Sequence, residues 1–262
     1  MPRFNANLTM LYTDLDFMDR FAAAARDGFK AVEYLFPYAY NKDQLAEALQ
    51  KNGLQQVLHN LPAGNWEGGD RGIACNPDRV GEFQDSVGRA IEYAKTLRCP
   101  QVNCLAGKAP SGADDEKLRR TMVENLKFAA PKLKETGIKL LVEPVNDKDI
   151  PGFWVNRVSR AIELIEAVGS DNIFVQYDFY HQQRMEGELI ATYRKYKDRI
   201  AHIQIADNPG RNEPGTGEIN YTFIFNELDT SGYPGWVGLE YVPKGKTSQG
   251  LGWASEYLRK MP

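Results

Sequence analysis

Apolar and β-branched residues fall in eight short runs, at 4–8, 31–36, 55–60, 101–105, 138–143, 173–178, 201–206 and 236–241. Between the runs the period changes. Apolar positions follow a helical pattern over 17–27, 42–51, 79–97, 116–136, 158–168, 186–196 and 221–228, and again over 248–260. Short apolar runs predict buried strands, and recurrence every three to four residues predicts amphipathic helices. Gly28, Gly53, Gly137 and Gly169 stand just past four of the helices, where a left-handed residue closes a helix. Eight strands alternating with helices in 262 residues predict a (β/α)8 TIM barrel. With no low-complexity linker dividing the chain, a single domain over 1–262 is expected. The competing fold is a doubly wound open sheet. The chain has neither G-x-G-x-x-G after its first strand nor a P-loop, so a nucleotide cofactor is not expected.

Composition narrows the field only a little. The chain is 42% hydrophobic and 26% charged, with a formal net charge of −3, which gives no reason to expect nucleic acid or an anionic membrane as a partner. No apolar run approaches the roughly 20 residues of a membrane-crossing helix. The N-terminus, MPRFNANLTMLYTDLDF, reads as a first strand and not as a signal peptide. Cys75, Cys99 and Cys104 are odd in number and contain no C-x-x-C pair, so neither a disulfide framework nor a zinc site is suggested. A cytoplasmic protein is the simplest expectation, and a homo-oligomer is compatible with it.

The chemistry begins where the late strands stop. The fifth run ends in Glu143, the sixth in Asp178 and the eighth in Glu240, while the seventh carries Gln204 near its end. Ending a buried strand on a carboxylate is costly unless the charge meets something. In a barrel these ends share one mouth, where reacting groups collect. Carboxylates held that close repel one another unless a proton, a substrate or a cation separates them, and a divalent metal is the expected occupant. Taken singly, each acid would read as a helix cap or a loop ion pair. Three on neighbouring strands, with an amide between them, read as a site.

The segments NANLTMLYTD, VEYLFPYAY, LHNLPAGNWEGGDRGIAC, VNCLAGKAPSG, VEPVNDKDIPGF, QYDFYHQQRMEGEL, HIQIADNPGRNEPGTGEINY and GWVGLEYVPKG carry a resemblance over essentially the whole chain. It resembles hydroxypyruvate isomerases, within the xylose isomerase-like barrel superfamily that also holds sugar epimerases and endonuclease IV. The resemblance implies interconversion of hydroxypyruvate and tartronate semialdehyde through an enediolate. It makes Glu143 and Glu240 the proton donor and acceptor, and it makes Glu143, Asp178, Gln204 and Glu240 the metal-type constellation. Many sugar epimerases of the superfamily have histidine at the position of Gln204. An amide oxygen is a harder and weaker ligand, which points to Mg2+ or Mn2+, weakly bound or dispensable, and away from zinc.

Around that centre, His181 is expected in the loop above the sixth strand, within reach of a substrate oxygen. Arg211, after the seventh strand, is a candidate clamp for a substrate carboxylate, with Arg71 and Lys108 weaker candidates. His59 and Asn60 end the third strand and could line the pocket or pack in the core. His202 reads as structural, EPGTGEINY as a turn into a helix, and the aromatics Tyr34, Phe36, Tyr38 and Tyr40 as packing. Three alternatives stand beside the isomerase. A 2-oxo-tetronate isomerase or ketose 3-epimerase would share every proton-transfer residue and differ in pocket length. An endonuclease IV-like nuclease would need a histidine-rich multi-zinc cluster, and the chain has three histidines. A non-catalytic binder would have no use for opposed acids. The expected partner is a small-molecule substrate.

Overall fold

A computed structural model describes residues 1–260, so the last two positions of the expected 1–262 domain lie outside the described residues. Eight parallel strands close a barrel in chain order: β1 (Arg3–Asn7), β2 (Ala31–Glu33), β3 (Gln55–Asn60), β4 (Gln101–Cys104), β5 (Lys139–Val142), β6 (Ile173–Asp178), β7 (Ile200–Ile205) and β8 (Trp236–Leu239). Around them run α1 (Phe17–Arg26), α2 (Lys42–Lys51), α3 (Val80–Leu97), α4 (Asp115–Glu135), α5 (Val158–Val168), α6 (Phe179–Met185), α7 (Leu189–Tyr196), α8 (Tyr221–Thr230), α9 (Thr247–Gly250) and α10 (Ser255–Lys260). The barrel expected from the alternation is the barrel observed. Among the described residues no helix is long and apolar enough to cross a membrane.

The layering follows from the side chains. The strand faces turned to the helices carry Phe4, Val32, Val102, Leu140, Val175, Ile203 and Val237, all in the main apolar core. The inward faces are different. Ala31, Val57, Leu58 and Leu141 make a small apolar cluster of their own. Two residues further on from Ala31 and Leu141, the same faces carry Glu33 and Glu143. Above that cluster the interior is polar, with Asn7, Glu33, Asn60, Asn103, Gln176, His202 and Gln204 all buried.

Four boundaries differ from the sequence reading. β2 stops at Glu33, where its pairing with β3 slips register between Val32 and Glu33, and residues 34–36 leave the sheet. No loop follows β6. Asp178 ends the strand and caps α6 directly, its side chain accepting from the backbone N–H of Tyr180 and His181, so His181 sits on a helix. The helix expected over 186–196 is α7, shorter at its start because Glu186 belongs to the end of α6. The stretch 248–260 is broken by a 3-10 turn at Leu251–Ala254 between α9 and α10.

Candidate active site

β5 and β8 end one residue before their acids, so Glu143 and Glu240 are the first residues of their loops, and Asp178 is the last of β6. All three are buried. Strand register sets their level: Asp178 pairs with Gln204, and Gln204 pairs with Gly238. Asn103 Nδ2 donates to Glu143 Oε2 at 2.8 Å, and Arg211 donates to Glu240 Oε1 at 3.1 Å. One oxygen of Asp178 caps α6, receiving the Tyr180 amide at 2.7 Å. Its other oxygen, Oδ2, and Oε2 of Glu240 have no hydrogen-bond partner. Unpaired buried acceptors are costly, and they are placed here where a cation or a substrate hydroxyl would satisfy them.

His181 completes the cluster, its Nε2 3.7 Å from Asp178 Oδ2 and 3.9 Å from Glu143 Oε1. One ligand atom from each of Glu143, Asp178 and His181 lies within 4.8 Å of the others, a spacing that could hold a metal ion. The imidazole has a second constraint. Asn146 Oδ1 accepts from the amides of Lys148 and Asp149, so its Nδ2 is the end facing His181 Nδ1, at 2.6 Å. That ring nitrogen therefore accepts, and the proton is on Nε2, directed at the two carboxylates. His181 is built as a donor to an oxygen, and the oxygens of the acids and of Gln204 are the atoms that fit a hard divalent cation.

Burial dominates the electrostatics. It pushes Glu143 well above the usual carboxylate range, and the negative charges of Glu240 and Asp178 add to the effect against Arg211 and Asn103. Burial raises Glu240 to about 8, with Arg211 opposing and Asp178 and Glu33 reinforcing. Asp178 rises to about 6 by burial, restrained by Arg211 and the two capping amides. His181 is held well below its ordinary value by burial and by the positive charges of Arg211 and Arg184. Without a cation the site is a set of acids disposed to hold protons, around a neutral imidazole.

Not every expected residue arrives here. Arg211 does, half-buried in a left-handed backbone conformation (φ 53°), with its guanidinium 5.1 Å from the centre of the Tyr180 ring. His59 does not. It turns to the helical layer beside Tyr38 and bonds Gln56 through Nδ1 at 3.2 Å, and burial lowers its pKa to about 4. Asn60 points inward and accepts from Asn103 at 3.2 Å. Lys108 is exposed on the loop after β4, bridged to Phe153, and Arg71 lies over Trp66 at 4.2 Å. In EPGTGEINY the amides of Gly215, Gly217 and Ile219 all bond to Asp207, which makes it a turn. Tyr34, Phe36, Tyr38 and Tyr40 pack against other rings. Sequence reasoning missed Glu33, Asn103 and Asn146. Glu33 carries the same signal as Glu143, an acid inside the apolar run AVEYLF, but Tyr34, Leu35 and Phe36 extend the run past it.

A closed eight-stranded parallel barrel with buried acids gathered at the C-terminal ends of β5, β6 and β8 is the architecture of a barrel enzyme with its site at one mouth. The chain belongs to the xylose isomerase-like TIM barrel family, whose model matches residues 21–261. It is 51% identical over 257 residues to the hydroxypyruvate isomerase of Escherichia coli (strain K12), covering 98% of this chain and 100% of that protein. It is 45% identical over 258 residues to the 2-oxo-tetronate isomerase of Cupriavidus necator, with 98% and 99% covered. Among solved structures it superposes, with a TM-score of 0.96 and 42% identity, on one described as an AP endonuclease, family 2 from Brucella melitensis, covering 98% of this chain and 99% of that one.

Proposed function

We propose that this protein is a hydroxypyruvate isomerase, moving a proton between C3 and C2 of hydroxypyruvate to give tartronate semialdehyde. The observation that carries the reading is the pair of buried glutamates at one mouth, Glu143 held by Asn103 and Glu240 by Arg211. One glutamate, as carboxylate, takes the proton from C3 and leaves an enediolate. The other, as acid, returns a proton to C2, while the hydroxyl proton passes from O3 to O2. General acid–base assistance of this kind contributes about 10²–10⁴-fold. His181 donates from Nε2 to an oxygen of the substrate, and Arg211 receives its carboxylate beside Glu240.

A divalent cation, Mg2+ or Mn2+, held by Glu143, Asp178, Gln204 and Glu240 would place positive charge beside the substrate oxygens and favour the enediolate. The unpaired oxygens of Asp178 and Glu240 support those ligands. The nuclease suggested by the description of the Brucella structure has weaker support. Of the three histidines only His181 stands among the acids, since His59 faces the helices and His202 bonds Glu33.

The 2-oxo-tetronate isomerase relative favours a second reading, in which the substrate is one carbon longer. A panel of hydroxypyruvate, 2-oxo-tetronate and ketohexoses, followed by NMR with and without Mg2+ or Mn2+, decides between them. Turnover of hydroxypyruvate well ahead of the others is the expected result. In D2O, deuterium should appear at C2 of the product beyond that in an enzyme-free control, because a carboxylic acid exchanges its proton with water. Complete transfer of C3 deuterium with no exchange at any conversion would count against the two-acid route.

A further inference from the structure

Beneath the acids, inside the barrel, lies a carboxylate with no part in the proton transfer. Glu33, at the end of β2, is buried and reaches across the interior to β7. Its Oε1 accepts from Gln204 Nε2 at 2.7 Å and Asn7 Nδ2 at 3.0 Å, and its Oε2 is 2.7 Å from His202 Nε2. The space it crosses exists because residue 238 has no side chain. A Cβ at Gly238 would lie 2.4 Å from the Glu33 carboxylate. Gly238 pairs with Gln204 on one side and with Asn5 on the other, and it precedes Glu240 by two residues on β8.

A carboxylate only accepts hydrogen bonds, whereas an amide has one donating and one accepting end. Contact with Glu33 therefore decides which end of Gln204 points where. The nitrogen is held toward Glu33, and the oxygen is left to face β6, where it accepts from Gln176 Nε2 at 2.6 Å. Reversed, the amide would turn its N–H groups toward the donor Gln176 and the β6 side, where Asp178 pairs with Gln204. We propose that Glu33 is a positioning residue that fixes the amide of Gln204 with its nitrogen toward β2 and its oxygen toward β6, the strand whose Asp178 pairs with Gln204, and that the bare backbone at Gly238 is what lets it reach.

The inference rests on the proposed isomerase reading only in taking Gln204 as a cation ligand, so its test is made with Mn2+ alone and no substrate. Mn2+ affinity is measured by electron paramagnetic resonance for the wild type, E33Q, Q204A and the double variant. In E33Q one end of the side chain becomes a donor, so Gln204 faces an acceptor in only one of the two ways residue 33 can be turned, and its amide loses its single fixed orientation. E33Q and Q204A should each weaken Mn2+ binding about 10–100-fold, the usual effect of losing a ligand's support. The double variant should bind no worse than Q204A, because Glu33 acts through Gln204. Losses that multiply in the double variant, an E33Q protein with wild-type affinity, or a wild type that takes up no Mn2+ would each overturn the proposal. G238A guards against an E33Q protein that fails to fold. It keeps the charge but pushes the carboxylate off Gln204, and it should weaken Mn2+ binding as E33Q does, with circular dichroism unchanged. A protein that binds Mn2+ in this pattern yet leaves hydroxypyruvate untouched would sink the isomerase reading and leave the role of Glu33 standing.

Discussion

Glu143 and Glu240 are alike in burial and differ in what touches them. An amide donor holds the first and a guanidinium the second. Replacing either carboxyl by its amide keeps the shape and removes the group that can take up and release a proton. Glu143→Gln and Glu240→Gln are each expected to lower kcat by at least about 100-fold, with thermal melts at pH 5 close to wild type. A variant within threefold of wild-type kcat would remove that glutamate from the mechanism. These acids were legible in the sequence because an apolar run that ends in a carboxylate is expensive without a purpose. His59 was not, since which way a strand residue faces depends on alternation, and the register slip between β2 and β3 leaves no trace in the residue pattern. The donor state of His181 was hidden as well, because it depends on Asn146, which comes 35 residues earlier in the chain.

At the scale of elements, the strand–helix rhythm was readable throughout, and the misreadings gather where one element passes into the next without a loop. β6 and α6 share Asp178 as strand end and helix cap. Its two oxygens have separate duties, one toward the amides of α6 and one toward the acids. Asparagine retains a capping oxygen and loses the charge, and alanine loses both. Asp178→Asn should therefore keep its melting temperature while losing activity. Asp178→Ala should lose activity and about 0.5–2 kcal/mol of stability besides. Denaturant titration of the two variants checks the difference. Equal stability in both would mean that the cap contributes nothing.

For the molecule as a whole, the buried acids couple folding to pH. Glu240 has its pKa raised from 4.5 to about 8 in the folded state. Between those values the folded protein holds a proton that the unfolded chain has released, so this contribution to stability is complete below about 4.5 and lost as pH rises through about 8. In metal-free protein, the fall in melting temperature between pH 5 and pH 8 should be smaller in Glu240→Gln than in wild type. Melting curves at four or five pH values test this, and parallel curves would count against a raised pKa. Adding Mn2+ should flatten the wild-type curve, because a cation stabilises the ionised acids.

The missing side chain at Gly238 also reaches beyond this one molecule. A carboxylate that passes through the space a neighbour leaves empty ties two positions 205 apart in the chain into one inherited unit. Any lineage that acquired a larger residue at 238 would first have to shorten residue 33, and with it would change what holds residue 204. Histidine at 204 would still suit Glu33, since an imidazole N–H can take the place of the amide nitrogen. Exchanging the amide for the imidazole is thus the smaller evolutionary step, and filling in Gly238 the larger one.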